Sequence, residues 1–454
     1  MPELKRQLGL LDSTMINVGT IIASAIFIVP SAIAAALQAT GPAILVWLVG
    51  GAVSLLGALS VAELGAAMPE AGGMYVYLSR AYGPVWGFLY GWSGGVVINP
   101  ASIAAIAVGF ATYFGFFVPL SDSGIKLVAV ASVVGLTVLN SLGVRLGAIT
   151  QNLFTLIKIG LLGLLIVVGF ALPGGSVANF QPLWSPAPFG QQVAAFGVAL
   201  VAALWAYDGW IEITYVGSEV KDPGRTLPRS IVLSTLIGAA LYCLVTAAFA
   251  YVLSPAKMAA SSLVASDAAQ VTLGGAGAAL VAVAIMIATL GSNNGIVLTA
   301  ARIPYALARD GLLPRWLAGV HPRFLTPVPS LLVQGVIAIA LTLISTEPSW
   351  KDTYGRLFTY VVVGEFIFYA LSAAAVIVLR HTALDMPRPY RTWGYPITPF
   401  VFVLFSVWLI WNTAREQLLD FAVGMALILV GLPLYWWRRQ RLSVVSRQSS
   451  IVSE

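Results

Sequence analysis

Charged side chains are scarce here, 9% of 454 residues, against about 25% in a soluble globular chain. That shortage excludes a string of water-soluble domains. Cysteine occurs once, at Cys243 in an apolar stretch, which excludes an intramolecular disulfide and leaves a small core hydrophobe. The two histidines, His321 and His381, both fall in polar loops. They offer no Ser–His or Cys–His pair for hydrolysis and no metal-ligand cluster, so the sequence is read as neither an enzyme nor a metalloprotein, and no cofactor is expected.

Apolar residues fill the space that charge leaves. They make up 59% of the chain and give a mean hydropathy of +0.90. Twelve apolar segments can be drawn, at roughly 12–37, 42–68, 84–115, 124–143, 149–172, 190–216, 229–253, 273–304, 327–346, 355–380, 397–415 and 419–437. Each is long enough to cross a bilayer core as a helix of about 20 residues. The fold class predicted is an all-α integral membrane protein of twelve transmembrane helices, with the bilayer itself as a partner.

A net charge of +6 could point to nucleic acid, but the distribution argues otherwise. With the N-terminus on the cytoplasmic side, eighteen of the 24 Lys and Arg residues fall in cytoplasmic segments and five in outer ones, with Lys158 inside a span. Cytoplasmic loops carry such an excess, so both termini are placed in the cytoplasm and no nucleic-acid partner is expected. The tail from 438 to 454, polar and rich in Arg, is expected to be disordered and to face anionic lipid.

Two segments are interrupted. The first breaks its apolar run at Gly19-Thr20 and again at Ala23-Ser24-Ala25. The sixth carries Asp208-Gly209 near its middle, flanked by Trp205, Tyr207 and Trp210. An Asp at mid-bilayer costs roughly 3 kcal/mol unless it faces a cavity or a partner, and glycine lowers the cost of leaving helical geometry. A helix opened inside the membrane exposes amide and carbonyl groups that can hold a polar solute. Corresponding breaks in two halves are the mark of an inverted-repeat transporter with its site near the midplane.

The residues around these breaks resemble the amino acid–polyamine–organocation (APC) superfamily and, within it, a bacterial permease of the L-type amino acid transporter family. The segment Val18 to Phe27 is similar to the family's V-G-x-x-I-G-S-G-I-F, and Trp205 to Trp210 to its F-A-Y-x-G-W. Glu63-Leu64-Gly65 with Pro69 and Gly72-Gly73 match the end of its second span. The loop holding Glu219, Pro223, Arg225, Pro228 and Arg229, and the run from Arg302 to Pro314, match two further motifs. The resemblance covers residues 8 to about 437.

It implies a LeuT-like fold of five plus five inverted-repeat helices: 1–11 as N-terminus, 12–172 and 190–380 as the repeats, and 397–437 as two helices outside them. It implies alternating access and an amino acid substrate. The substrate carboxylate would sit on the amides of Ser24, Ala25 and Ile26, and the ammonium on carbonyls of Ile21, Ile22, Trp205, Ala206 and Asp208. Lys158 would replace the sodium ion that relatives bind between spans one and eight, making transport sodium-independent exchange of neutral amino acids. Trp205 would close over the substrate. The family's glycines beside the serine are alanines here, Ala23 and Ala25, which favour continued helix and narrow the space beside the carboxylate.

Other polar residues keep two readings. Asp208 either pairs within the core or tunes the ammonium site; at least one of Asp208 and Glu212 is a proton-carrier candidate, and Glu365 is either a structural partner or a coupling residue that carries a proton, with proton-coupled symport of amino acids or polyamines as the alternative function. Lys158 has a snorkelling reading as well. Ser292, Asn293 and Asn294 form a polar kink read as pocket lining, with Asn294 as a substrate contact. Glu63 is read as an anchor of the inner loops. The segment at 116–123 lacks cysteine, so the disulfide-linked heavy subunit of animal relatives is not expected. A transporter-derived sensor would ordinarily carry a soluble output domain, and no inserted stretch is long enough to be one.

Overall fold

The computed structural model describes residues 3–344, 350–416 and 418–440, without the side chains of 350–363, 416 and 420. Most of the expected tail, 441–454, lies outside the described residues, as do the side chains of the outer-loop residues Lys351 and Arg356.

Helices run in the order α1 (Leu10–Ile21), α2 (Ala25–Leu37), α3 (Thr40–Ala67), α4 (Met74–Tyr82), α5 (Pro84–Trp92), α6 (Asn99–Phe114), α7 (Asp122–Ser141), α8 (Val144–Ala171) and α9 (Phe189–Ala206). There follow α10 (Pro223–Val252), α11 (Pro255–Ala260), α12 (Val264–Leu273), α13 (Gly275–Ala300), α14 (Arg302–Arg309), α15 (Val328–Ile344), α16 (Trp350–Thr382), α17 (Ile397–Glu416) and α18 (Leu418–Leu429). Among the described residues there is no strand, only an isolated parallel bridge between Leu8 and Val220.

Ten helices, some counted through short bends, are long and apolar enough to span a bilayer, and α1 with α2 adds an eleventh as a pair bent by 44°. The ninth expected span, α15, is apolar but only 17 residues long. Against the twelve spans expected from the sequence, the described residues hold up to eleven such spans and one shorter apolar helix.

Helix α8 shows how lipid orders the packing. Leu146, Ile149, Leu153, Leu156, Leu164 and Val167 are exposed along one side at three- and four-residue steps. Gln151, Thr155 and Lys158 are buried on the other. Apolar groups outward and polar groups inward reverse the soluble pattern, because the bilayer is as apolar as leucine and interior polar groups must find partners.

Both expected interruptions are present. Between α1 and α2 the chain leaves helical geometry at Ile22, whose ψ is 84°. After Ala206 the sixth span does not resume as α-helix. It turns through Gly209, at φ +105°, into a 3-10 helix from Glu212 to Glu219 that is itself kinked at Val216. A third irregularity was not foreseen: Ser93–Ile98 between α5 and α6 is a π-helical turn, pinned where the Asn99 Nδ2 donates to the Gly94 carbonyl at 2.7 Å. Such turns recur at functional sites. This one precedes the stretch of α6 that faces the two breaks.

Candidate functional site

The breaks open on one cavity of about 90 Å³, lined by Thr20, Ile21, Ala23 and Ala25 from the first, and by Trp205, Ala206, Asp208, Gly209 and Glu212 from the second. Ala101, Ser102, Ala105 and Ile106 of α6 and Ile296 of α13 complete the wall. No basic side chain lines it. Helix geometry leaves the first amides of α2 without intrahelical acceptors, while the carbonyls that end α9 take the Tyr207 and Asp208 amides and, at Ala206, meet the Tyr242 hydroxyl. The cavity therefore lies between a positive and a negative helix end.

Five of the nine residues expected to bind substrate, Ile21, Ala25, Trp205, Ala206 and Asp208, line the cavity. Ile22, Ser24 and Ile26 are buried beside it. Asn294 is placed elsewhere. It is fully buried, accepting from the Asn140 Nδ2 at 2.9 Å and donating to the Gln151 Oε1 at 2.8 Å and the Gly147 carbonyl at 3.2 Å. It joins α13 to α7 and α8 rather than facing the cavity. Asn293 likewise points away, donating to the Ile103 carbonyl at 3.2 Å.

Lys158 reaches the first break from α8. Its ammonium donates to the carbonyls of Gly19 at 2.6 Å and Ile22 at 2.9 Å and to Ser292 Oγ at 3.0 Å. Ser292 lies within 2.9 and 3.2 Å of the same two carbonyls. The side chain does not snorkel, since the residue is 2% exposed. Room for it depends on Gly291, where a Cβ would lie 2.6 Å from the lysine Cε. The carbonyls that end α1 thus meet a fixed positive charge, which complements the negative end of the helix.

The second break is held by carboxyl groups and tyrosines. The Tyr369 hydroxyl donates to Asp208 Oδ1 at 2.6 Å, and Glu365 is hydrogen-bonded to the same carboxyl. Thr299 Oγ1 bonds Glu212 Oε2. Asp208, Glu212 and Glu365 are consequently neighbours; Glu365 stands behind Asp208 and does not line the cavity.

Two residues that tie the breaks together, Asn17 and Tyr242, escape the sequence reading, and a third, Thr20, enters it only as part of the first interruption. Asn17 spans the gap with its amide: Nδ2 donates to the Trp210 carbonyl at 2.8 Å, and Oδ1 accepts from the Ile213 amide at 2.9 Å. Thr20 Oγ1 lies 3.0 Å from the Gly209 carbonyl. The Tyr242 hydroxyl, from α10, lies 2.6 Å from the Ile21 carbonyl and 2.9 Å from the Ala206 carbonyl. Each is a polar side chain in an apolar run, which was the available signal.

At the end of the bundle that carries the N-terminus, Arg302 forms a fully buried two-pronged pair with Glu219 at 2.7 and 3.0 Å. Glu63 receives Arg380 at 2.6 and 2.9 Å and the Thr392 amide at 2.7 Å, an anchoring role in keeping with its sequence reading. Tyr75 on α4 donates to Asp310. Burial, reinforced by Asp310, pushes that phenol above its usual range, so it remains a donor at neutral pH.

Comparison with known proteins places these features in a wider group. Residues 8–432 match the family model described as "Amino acid permease". The chain is 33% identical to the b(0,+)-type amino acid transporter 1 of Homo sapiens over 418 residues, covering 90% of this chain and 82% of that protein. It is 32% identical to the serine/threonine exchanger SteT of Bacillus subtilis over 445 residues, covering 96% and 98%. Against the large neutral amino acids transporter small subunit 2 of Homo sapiens the figures are 31% over 448 residues, 95% and 80%.

Proposed function

This chain belongs to the amino acid permease family, and we propose that it exchanges neutral amino acids across a bacterial inner membrane, without sodium and by alternating access. One observation carries the reading: the N-terminal end of α2 and the C-terminal end of α9 face each other across a single cavity at the two breaks. A zwitterion matches that pair of helix ends, with its carboxylate on the amides of Ser24, Ala25 and Ile26. Its ammonium goes to the α9 end, at the carbonyls of Trp205 and Ala206 and beside Asp208. The carbonyls of Ile21 and Ile22 already take donors from Tyr242 and Lys158 and frame the ammonium from the other side.

Lys158 stands where a bound cation would otherwise neutralise the end of α1, which is the physical reason for independence from sodium. Trp205 forms the cavity lid. The methyl groups of Ala23, Ala25, Ala101 and Ala105 narrow the cavity. Small side chains fit best. The relative named a serine/threonine exchanger agrees with that size.

A second reading is favoured by Asp208 and Glu212, two carboxyl groups in a wall without a basic side chain. They would also accept a substrate with a cationic side chain. Counterflow in proteoliposomes decides. Labelled serine, threonine, alanine, leucine and arginine are offered to vesicles loaded with unlabelled amino acid, in sodium and in choline buffers. Uptake that needs internal amino acid and is equal in both buffers is expected; uptake driven by a sodium gradient, or indifferent to the internal pool, overturns the proposal. Arginine uptake selects the second reading.

A further inference from the structure

Three basic side chains, far apart in the chain, surround one cavity away from the two breaks. Arg6 precedes α1, Arg145 stands in the first turn of α8 and Lys221 follows the 3-10 helix; all line a space of about 380 Å³. Backbone contacts hold the first and last of these segments together. The Gln7 and Leu8 amides donate to the Glu219 carbonyl, and the Lys221 amide donates to the Leu8 carbonyl at 2.9 Å.

One carboxylate, Asp12, shares the cavity. Its oxygens are engaged already, accepting from the Gly9 amide at 2.9 Å and from the Asn152 Nδ2 at 2.7 Å. None of the three cations forms an ion pair with a described residue. The cavity therefore carries an excess of positive charge that an anion would complement.

The remaining wall narrows the kind of anion. Ile149 lines the cavity and belongs to the outward row of α8, with Leu146, Leu153 and Leu156, each between 41% and 57% exposed. From Leu146 to Leu156 that row runs about 15 Å, the depth of one leaflet of a hydrocarbon core about 30 Å thick. A basic pocket continued by an apolar strip of that length fits an amphiphile. Free phosphate would use the charges and leave the strip idle.

We propose that this cavity binds the headgroup of an anionic phospholipid, its phosphate among Arg6, Arg145 and Lys221 and an acyl chain along α8. The arginines present forked donors that match phosphate oxygens. The bound lipid fastens the segment before α1, and the segment after the second break, to the helix that carries Lys158. The site lies outside the cavity at the breaks, so its occupancy is measured without transport.

The test follows the melting temperature of the purified protein in neutral detergent as phosphatidylglycerol, phosphatidylcholine or inorganic phosphate is added. Phosphatidylglycerol should raise it at concentrations where the other two do not. Arg6→Gln, Arg145→Gln and Lys221→Gln should each raise the half-saturating concentration about fivefold, the contribution of one basic residue at an anionic surface. The triple variant should lose the response. Arg438→Gln joined with Arg439→Gln, which removes basic charge from the far end of the chain, should keep it. Equal stabilisation by inorganic phosphate, an undiminished response in the triple variant, or an equal loss in the Arg438 and Arg439 variant would each overturn the proposal. Should the triple variant fold poorly, Arg145→Lys, which keeps the charge, must bind phosphatidylglycerol more tightly than Arg145→Gln; equal binding overturns it.

Discussion

Single side chains join this site, and their partners set what each substitution costs. Lys158 supplies its charge to two carbonyls and a hydroxyl, and hydrogen bonds from a charged group contribute about 1.5–3 kcal/mol each. Lys158→Ala leaves those carbonyls facing Ser292 alone, so the end of α1 loses its charge complement. Exchange is expected to fall at least tenfold in the counterflow assay, while the purified protein remains monodisperse on size-exclusion chromatography. Asn17 differs, because it bonds backbone on the far side of the break with both ends of its amide. Asn17→Ala strands a buried carbonyl and a buried amide, at a cost of about 1–3 kcal/mol each. A lowered melting temperature by scanning fluorimetry is expected here, together with loss of exchange.

At the scale of the element, the break after α9 depends on one backbone conformation. Gly209 sits at φ +105°, and a Cβ there would lie 2.9 Å from the Thr20 Cβ. An L side chain is strained at that angle, by roughly 1–2 kcal/mol or more, and it would push Thr20 from the Gly209 carbonyl that it approaches. Gly209→Ala is expected to abolish exchange with wild-type amounts of protein in the membrane; normal uptake would mean that the turn tolerates repacking. Both breaks were legible in the chain because their causes are local: Ala23-Ser24-Ala25 and Asp208-Gly209 interrupt apolar runs where they stand. The partners that hold them were not. Tyr242 and Ile21 are 221 residues apart, and a tyrosine in an apolar helix reads the same whether it meets a carbonyl or lipid. Asn294 shows the converse, since its polarity was visible but its direction, toward Asn140 and Gln151, was not. The π-helical turn at Ser93–Ile98 had only Gly94-Gly95 as a sign, and paired glycines in membrane helices mostly serve packing.

Across the whole molecule, the ion pairs among the described residues, Arg302 with Glu219 and Arg380 and Arg388 with Glu63, lie at the end that carries the N-terminus. Glu219 is the junction there. Its carbonyl receives the amides of Gln7 and Leu8 at 2.8 and 3.0 Å, and its carboxylate receives Arg302. The segment before α1, the 3-10 helix after the second break and the start of α14 are thereby fastened to one residue. With 1% and 0% side-chain exposure, the pair gains little from solvent and is only weakly screened by salt. Forming a buried pair is costly, so it adds little net stability, but removing one partner leaves an uncompensated charge and costs about 3–5 kcal/mol. Arg302→Met alone should therefore lower the melting temperature sharply, as should Glu219→Leu alone. Joined in one chain, the two substitutions leave no orphaned charge and should melt nearer to wild type than either single variant does. If the pair only supported the fold, that double variant would also recover exchange. Because it also fastens the segment before α1 to the 3-10 helix and to α14, exchange should stay impaired while stability returns, with cysteines placed on the cavity wall, in a background where Cys243 is replaced, more reactive to thiol reagents applied from the N-terminal side. Recovery of both stability and exchange would show that the fastening is dispensable for the transport cycle.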